Sequence, residues 1–246
     1  MRLDRKNPTY LTSHSYFFYY NSRCCNGLYF HIPVVRHFLL LNKKHAHFGK
    51  WNEQVFQKQA PLVLELGCGK GEYTVALAKK YPEKNFVGID IKGARMWRGA
   101  KTSLDEGISN TRFLRSKIEF LPSFFSENEV DEIWITFPDP QLKNKRERKR
   151  LTSPRFLQYY RTILVPGGTV NLKTDSYELF EYTVELLKNS GELIQFQSSD
   201  LYSEAVDKLP ENELISIQTH YEKMFVAKGK KICYLRFTLN QTSSNG

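Results

Sequence analysis

The residues able to do chemistry fall in a few short stretches. The first is Glu65-Leu66-Gly67-Cys68-Gly69-Lys70-Gly71, an acid followed by three alternating glycines. Glycines after a strand let backbone N–H groups come close to a ligand, because no Cβ stands in the way. The spacing is G-x-G-x-G. It is neither the dinucleotide fingerprint, G-x-G-x-x-G, nor the phosphate loop, which ends in Gly-Lys-Ser/Thr. An acid ahead of the loop repels a pyrophosphate but suits a cationic ligand such as a sulfonium amino acid. Asp90 follows Glu65 by 25 residues, and a carboxylate at such a strand end can accept both hydroxyls of a ribose. Glu65, the backbone at Gly67 and Gly69, and Asp90 together point to S-adenosyl-L-methionine. A tight turn beside a solvated acid is the plain alternative.

The second stretch is Phe137-Pro138-Asp139-Pro140. Prolines on both sides restrict the backbone and aim the Asp139 side chain. At the end of a strand, that carboxylate is expected to face the methyl group of the cofactor. Lys143-Asn144-Lys145-Arg146-Glu147-Arg148-Lys149-Arg150 follows directly. Beside a cofactor loop, such a run can hold a phosphate backbone while the site works on a base. In isolation it reads as a solvated face.

These side chains need a scaffold that brings strand ends together. Strands are predicted at 62–66, 85–91, 111–114, 131–137, 169–174, 193–196 and 232–239. Helices are predicted at 72–80, 94–106, 154–164 and 177–189. Pro166-Gly167-Gly168 marks a turn before the fifth strand. The preceding Leu164-Val165 and these three residues resemble a turn of many class I methyltransferases. Alternating strands and helices imply βαβ units and a mainly parallel sheet covered on both faces. The ligand of such a sheet lies beyond the carboxyl ends of its strands. Residues 1–45, with the run Tyr16-Phe17-Phe18-Tyr19-Tyr20, show no clear period and are set apart as an N-terminal extension of unassigned structure. Residues 46–246 form the predicted catalytic domain.

Composition narrows the class. The 246 residues are 41% hydrophobic and 25% charged, which fits a globular chain. The net charge of +10 is local: residues 1–50 hold 8 Lys/Arg against Asp4 alone, and residues 141–161 hold 8 against Glu147 alone. Local basic fields suit a polyanion. Four Cys make no disulfide scaffold, and no Cys/His spacing reads as a zinc site. No apolar run approaches the ~18–20 residues of a membrane span, and no signal peptide is evident. Reduced thiols then favour the cytoplasm.

From about Gly49 to Leu239 the sequence resembles the bacterial tRNA (guanine-N7)-methyltransferases. The resemblance rests on Leu64 to Gly71, on Phe137-Pro138-Asp139-Pro140 with Lys143 and the basic run, on Lys173-Thr174-Asp175, and on Thr219-His220-Tyr221-Glu222. It implies a Rossmann-like α/β fold with a seven-stranded sheet and S-adenosyl-L-methionine as methyl donor. The implied substrate is a guanine of tRNA, position 46 in the variable loop. It further implies that Glu65 and Asp90 bind the cofactor, that Asp139 lies where cofactor and guanine meet, and that Lys143, Asp175 and Thr219 to Glu222 contact the nucleotide. Asp175 and Glu222 would hold N1–H and the amino group of guanine. Lys117 stands where the family often has an Asp for the adenine amino group, Gln141 where Trp is common, and His220 where Lys or Arg is common. With Lys117 there, adenine recognition is expected from the backbone at Lys117 and Ile118, with Ile118 against the ring. Monomer and homodimer both stay open.

Two other functions compete. Enzymes that methylate an exocyclic base amine carry Asn or Asp before Pro-Pro, unlike Phe137-Pro138-Asp139-Pro140. A non-catalytic, cofactor-sensing RNA-binding protein has no need for Glu65, Asp90 and Asp139 together.

Overall fold

The computed structural model describes residues 17–19, 22–23, 29–30, 33–36, 44–204 and 216–240. Alternation along the strands decides how its layers form. In β5 (Leu62–Leu66), Leu62, Leu64 and Leu66 enter one core, whereas Val63 enters another on the opposite face. The same holds in β6 (Asn85–Asp90), where Val87 and Ile89 face the first core and Phe86 the second. Side chains that alternate with period 2 and are apolar on both sides need cover on both faces.

The other central strands are β7 (Thr111–Arg115), β8 (Val130–Thr136), β9 (Leu164–Thr174), β10 (Leu193–Ser198) and β11 (Cys233–Thr238). The four short strands β1 (Phe17–Tyr19), β2 (Ser22–Arg23), β3 (Tyr29–Phe30) and β4 (Pro33–Arg36) precede them. The main sheet runs β1-β4-β7-β6-β5-β8-β9-β11-β10. The seven strands from β5 to β11 are those expected, and β4 and β1 extend the β7 edge, β4 parallel to β7 and β1 antiparallel to β4. All neighbours from β7 to β9 are parallel, while β11 runs antiparallel to both β9 and β10. The expected fifth strand starts earlier, at Leu164, because Pro166-Gly167-Gly168 is taken into β9 with a register shift against Val130–Glu132.

Helices α1 (Glu72–Lys80) and α2 (Gly93–Asp105) cover one face. The other face carries α3 (Leu121–Phe124), α4 (Pro154–Ile163) and α5 (Tyr177–Asn189). Two short helices complete the described chain, α6 (Leu201–Glu204) and α7 (His220–Ala227). Strand order reverses at β5, whose neighbours β6 and β8 are reached in opposite directions. A crevice opens at such a switch point, outside the carboxyl ends of the strands.

Candidate active site

The glycine loop fills that switch point. Gly67, Gly69 and Gly71 all have positive φ, at 76°, 55° and 72°. The N–H groups of Gly67 and Cys68 donate to the Ile89 carbonyl at 2.8 and 3.1 Å, and this pins the loop to β6. Gly71 opens α1, where an added Cβ would lie 2.5 Å from the Phe113 ring. At Gly67 the added Cβ would meet nothing within 4 Å, so this backbone faces open space.

Glu65 sits on the α1 side of β5 and is 3% exposed. Its Oε2 accepts the Thr74 N–H at 2.8 Å and the Thr74 hydroxyl, and its Oε1 accepts the Thr136 hydroxyl at 2.7 Å. Burial pushes its carboxyl up to about 7, against the opposing pull of these hydrogen bonds. Asp90, at the end of β6, accepts from Gly69 N at 3.0 Å and Lys92 N at 2.7 Å. Thr74 and Thr136 were not singled out from sequence. A hydroxyl at the first turn of α1 and another at the end of β8 were the available signals.

Two cavities meet at Gly67 and Asp90. The smaller, about 110 Å³, also includes Glu65, Thr136, Phe137, Thr219 and Tyr221. The larger, about 330 Å³, includes Ser116, Lys117, Ile118 and Phe156. Ile118 packs on the core from that wall, whereas Lys117 is exposed and its carbonyl caps the turn to Phe120. The double cavity fits a long ligand with a cationic end near Glu65, a diol near Asp90 and a flat ring near Ile118. S-adenosyl-L-methionine has these three parts.

The loop after β8 is bent at both ends, with Phe137 at φ 47° and Gln141 at φ 48°. Asp139 is exposed between them, and its Oδ1 accepts Gln141 N at 3.1 Å. It therefore closes its own turn, and the residues lining the two cavities do not include it. The basic run forms a 3₁₀ turn over Asn144–Lys149 that follows Lys143, with all these residues exposed. Tyr182 holds the turn from α5: its hydroxyl donates to Glu147 at 2.9 Å, and the Arg150 guanidinium lies 4.2 Å from its ring centre.

The C-terminal motif joins the cavity wall to the core. Thr219 caps α7 and Glu222 completes a capping box, with Glu222 N donating to Thr219 Oγ1 at 3.2 Å. Glu222 is wholly buried, ion-paired to the equally buried Lys173 at 2.6 Å, and accepts the Tyr202 hydroxyl at 2.7 Å. Burial drives the Lys173 ammonium below its ordinary value, with Glu222 opposing. Glu222 thus turns inward to β9. Asp175 is held by Lys230 at 2.6 Å. His220 is exposed, and its N–H donates to Glu72 at 2.8 Å, which ties this motif to the glycine-loop helix. Tyr221 is 46% exposed at the cavity rim. Among the described residues no His/Cys/Asp/Glu group has the arrangement of a metal site.

The seven-strand order and the switch-point cleft define a class I S-adenosyl-L-methionine-dependent methyltransferase. The fold agrees with the 16S rRNA methyltransferase KamB, at TM-score 0.58 and 18% identity over 78% of this chain and 94% of that one. A family model described as "Putative methyltransferase" matches residues 59–235. A tRNA (guanine-N(7)-)-methyltransferase of Christiangramia forsetii is 52% identical over 78% of this chain and 84% of its own length. Those of Porphyromonas gingivalis and Pediococcus pentosaceus are 50% and 38% identical, over 83% and 80% of this chain and 83% and 90% of theirs. The chain belongs to the tRNA (guanine-N(7)-)-methyltransferase family.

Proposed function

We propose that this chain methylates N7 of a guanine in tRNA, at position 46 of the variable loop, in the cytoplasm. The observation that carries the reading is the double cavity at Gly67 and Asp90, set beside an exposed basic turn in a chain of this family. S-adenosyl-L-methionine, when bound, supplies a sulfonium methyl group. Glu65 holds the cationic amino-acid end, Asp90 the ribose hydroxyls, and the backbone at Lys117 with Ile118 the adenine.

Guanine N7 carries a free lone pair at neutral pH, so the chain needs no general base. Its task is alignment and charge compensation. The purine gains positive charge on methylation, and a fixed carboxylate near the ring stabilises that change. Asp139 takes this role: its loop begins at Phe137, which lines the smaller cavity. Asp175 and Tyr221 border the base, and Lys143 with the following turn holds phosphates. Glu222, buried on Lys173, positions Thr219 and Tyr221.

The test is mass spectrometry of nucleosides from an unmodified tRNA incubated with the protein and S-adenosyl-L-methionine. The expected product is 7-methylguanosine at one position. An N-methyl exocyclic product, or no product with cofactor and tRNA both bound, would overturn the reading.

A further inference from the structure

The charge of α2 runs against its own dipole. Lys92 and Arg95 stand at its start, Arg98 follows one turn on, all three are exposed, and its first turn holds no acid. None of the three has an acidic partner among the described residues. Further along, Lys101 is instead paired with Asp105 at 2.5 Å, and the last turn holds no cation. Cations are disfavoured at a helix N-terminus, where the peptide dipoles already leave partial positive charge. Folding gains nothing from this arrangement, but it raises the positive potential at the mouth of the cleft.

Its position is equally telling. Arg95 lines the cavity that holds Glu65 and the glycine loop. Lys149, from the basic turn, lines the other cavity. α2 covers one face of the sheet, whereas Tyr182, which holds the basic turn, belongs to α5 on the other face. The cleft therefore lies between two separate cationic rims.

We propose that Lys92, Arg95 and Arg98 form a second phosphate-binding surface, which grips tRNA on the side of the cleft opposite the Asn144–Lys149 turn. The inference rests on tRNA being the substrate. Two rims that each hold backbone phosphates fix a strand across the cleft in one orientation, which a single basic turn does not. Contacts to phosphate position the nucleic acid and leave base choice to the site between them.

The experiment is binding of an unmodified tRNA transcript to the full chain across a salt series. The variant is Lys92→Gln/Arg98→Gln, with Arg95 kept because it lines the cofactor cavity. The slope of log affinity against log salt should become shallower by about 1.4–1.8, at ~0.7–0.9 per phosphate contact. Calorimetric binding of S-adenosylhomocysteine should stay at the wild-type value. An unchanged slope with methylation intact returns this ridge to a solvated face and leaves the proposed function standing. A matching loss of cofactor affinity places the ridge in the cofactor site and also overturns the inference. A wild-type protein that neither binds nor methylates tRNA removes both readings.

Discussion

At the residue scale, Glu65 links the cofactor to pH. Burial pushes its carboxyl up to about 7 in the folded chain from an ordinary 4.5. Between those values the folded state keeps a proton that the unfolded chain has lost, so this group's contribution to stability falls as pH rises through that window. A cationic ligand needs the ionised form and must expel the proton. Affinity for S-adenosylhomocysteine is therefore expected to drop below pH 7, approaching about tenfold per pH unit. Glu65→Gln should bind weakly with a flat profile, and titration calorimetry in buffers of different ionisation heat would show the released proton. Asp139 separates charge from geometry. Asp139→Ala should cut single-turnover rate by ~10²–10³, the scale of one positioned electrostatic group. Asp139→Asn keeps an acceptor for the Gln141 N–H and should be almost as slow; near-wild-type turnover in that variant would assign Asp139 to the turn alone. Glu65 and Asp90 were legible in sequence because their spacing is local to two strand ends. The burial of Glu222 was not, since its partner Lys173 lies on a strand 49 residues earlier.

At the element scale, the Lys173–Glu222 pair fastens α7 to β9. Breaking a buried pair strands one charge, at a cost of about 3–5 kcal/mol. Lys173→Met is expected to lower Tm strongly, and Lys173→Met/Glu222→Gln to recover much of the loss, because no charge is then left alone. Thermal unfolding of both variants checks this, and recovery absent from the double variant would show that the pair is not the fastening. The central strands and the four longer predicted helices were readable from period and turn residues. The π-helical turn Trp51–Phe56 was not, although Trp51 is 1% exposed and donates its indole N–H to the Phe124 carbonyl at 2.9 Å. Its conformation is set by that distant partner and by Glu129, which accepts Trp51 N at 3.0 Å, so no local pattern announces it. The helix after Thr219 was missed for a simpler reason: eight residues are too few for a clear period.

At the scale of the whole molecule, charge is arranged around the cleft. Neutralising Lys145, Arg146, Arg148 and Lys149 together should flatten the tRNA salt slope by roughly 2–4. Filter binding over a salt series measures it, and an unchanged slope would make the turn a solvated face. The clamp formed by Tyr182 on Glu147 and Arg150 predicts a different signature for Tyr182→Phe. No charge is lost there, so affinity should fall with little change in slope.

The place of β11 also sets when the enzyme first becomes competent. β9 and β10 are not neighbours, and the strand that joins them is the last of the described chain. Thr219 and Tyr221, which wall the smaller cavity, are also late. While a ribosome is still making the chain, the glycine loop and Asp90 have already emerged, but the wall and the joining strand have not. At that stage the smaller cavity still lacks part of its lining, since Thr219 and Tyr221 border it together with Glu65 and Asp90. The sheet and the wall of the cleft are therefore expected to close only once residues through Thr238 have left the ribosome.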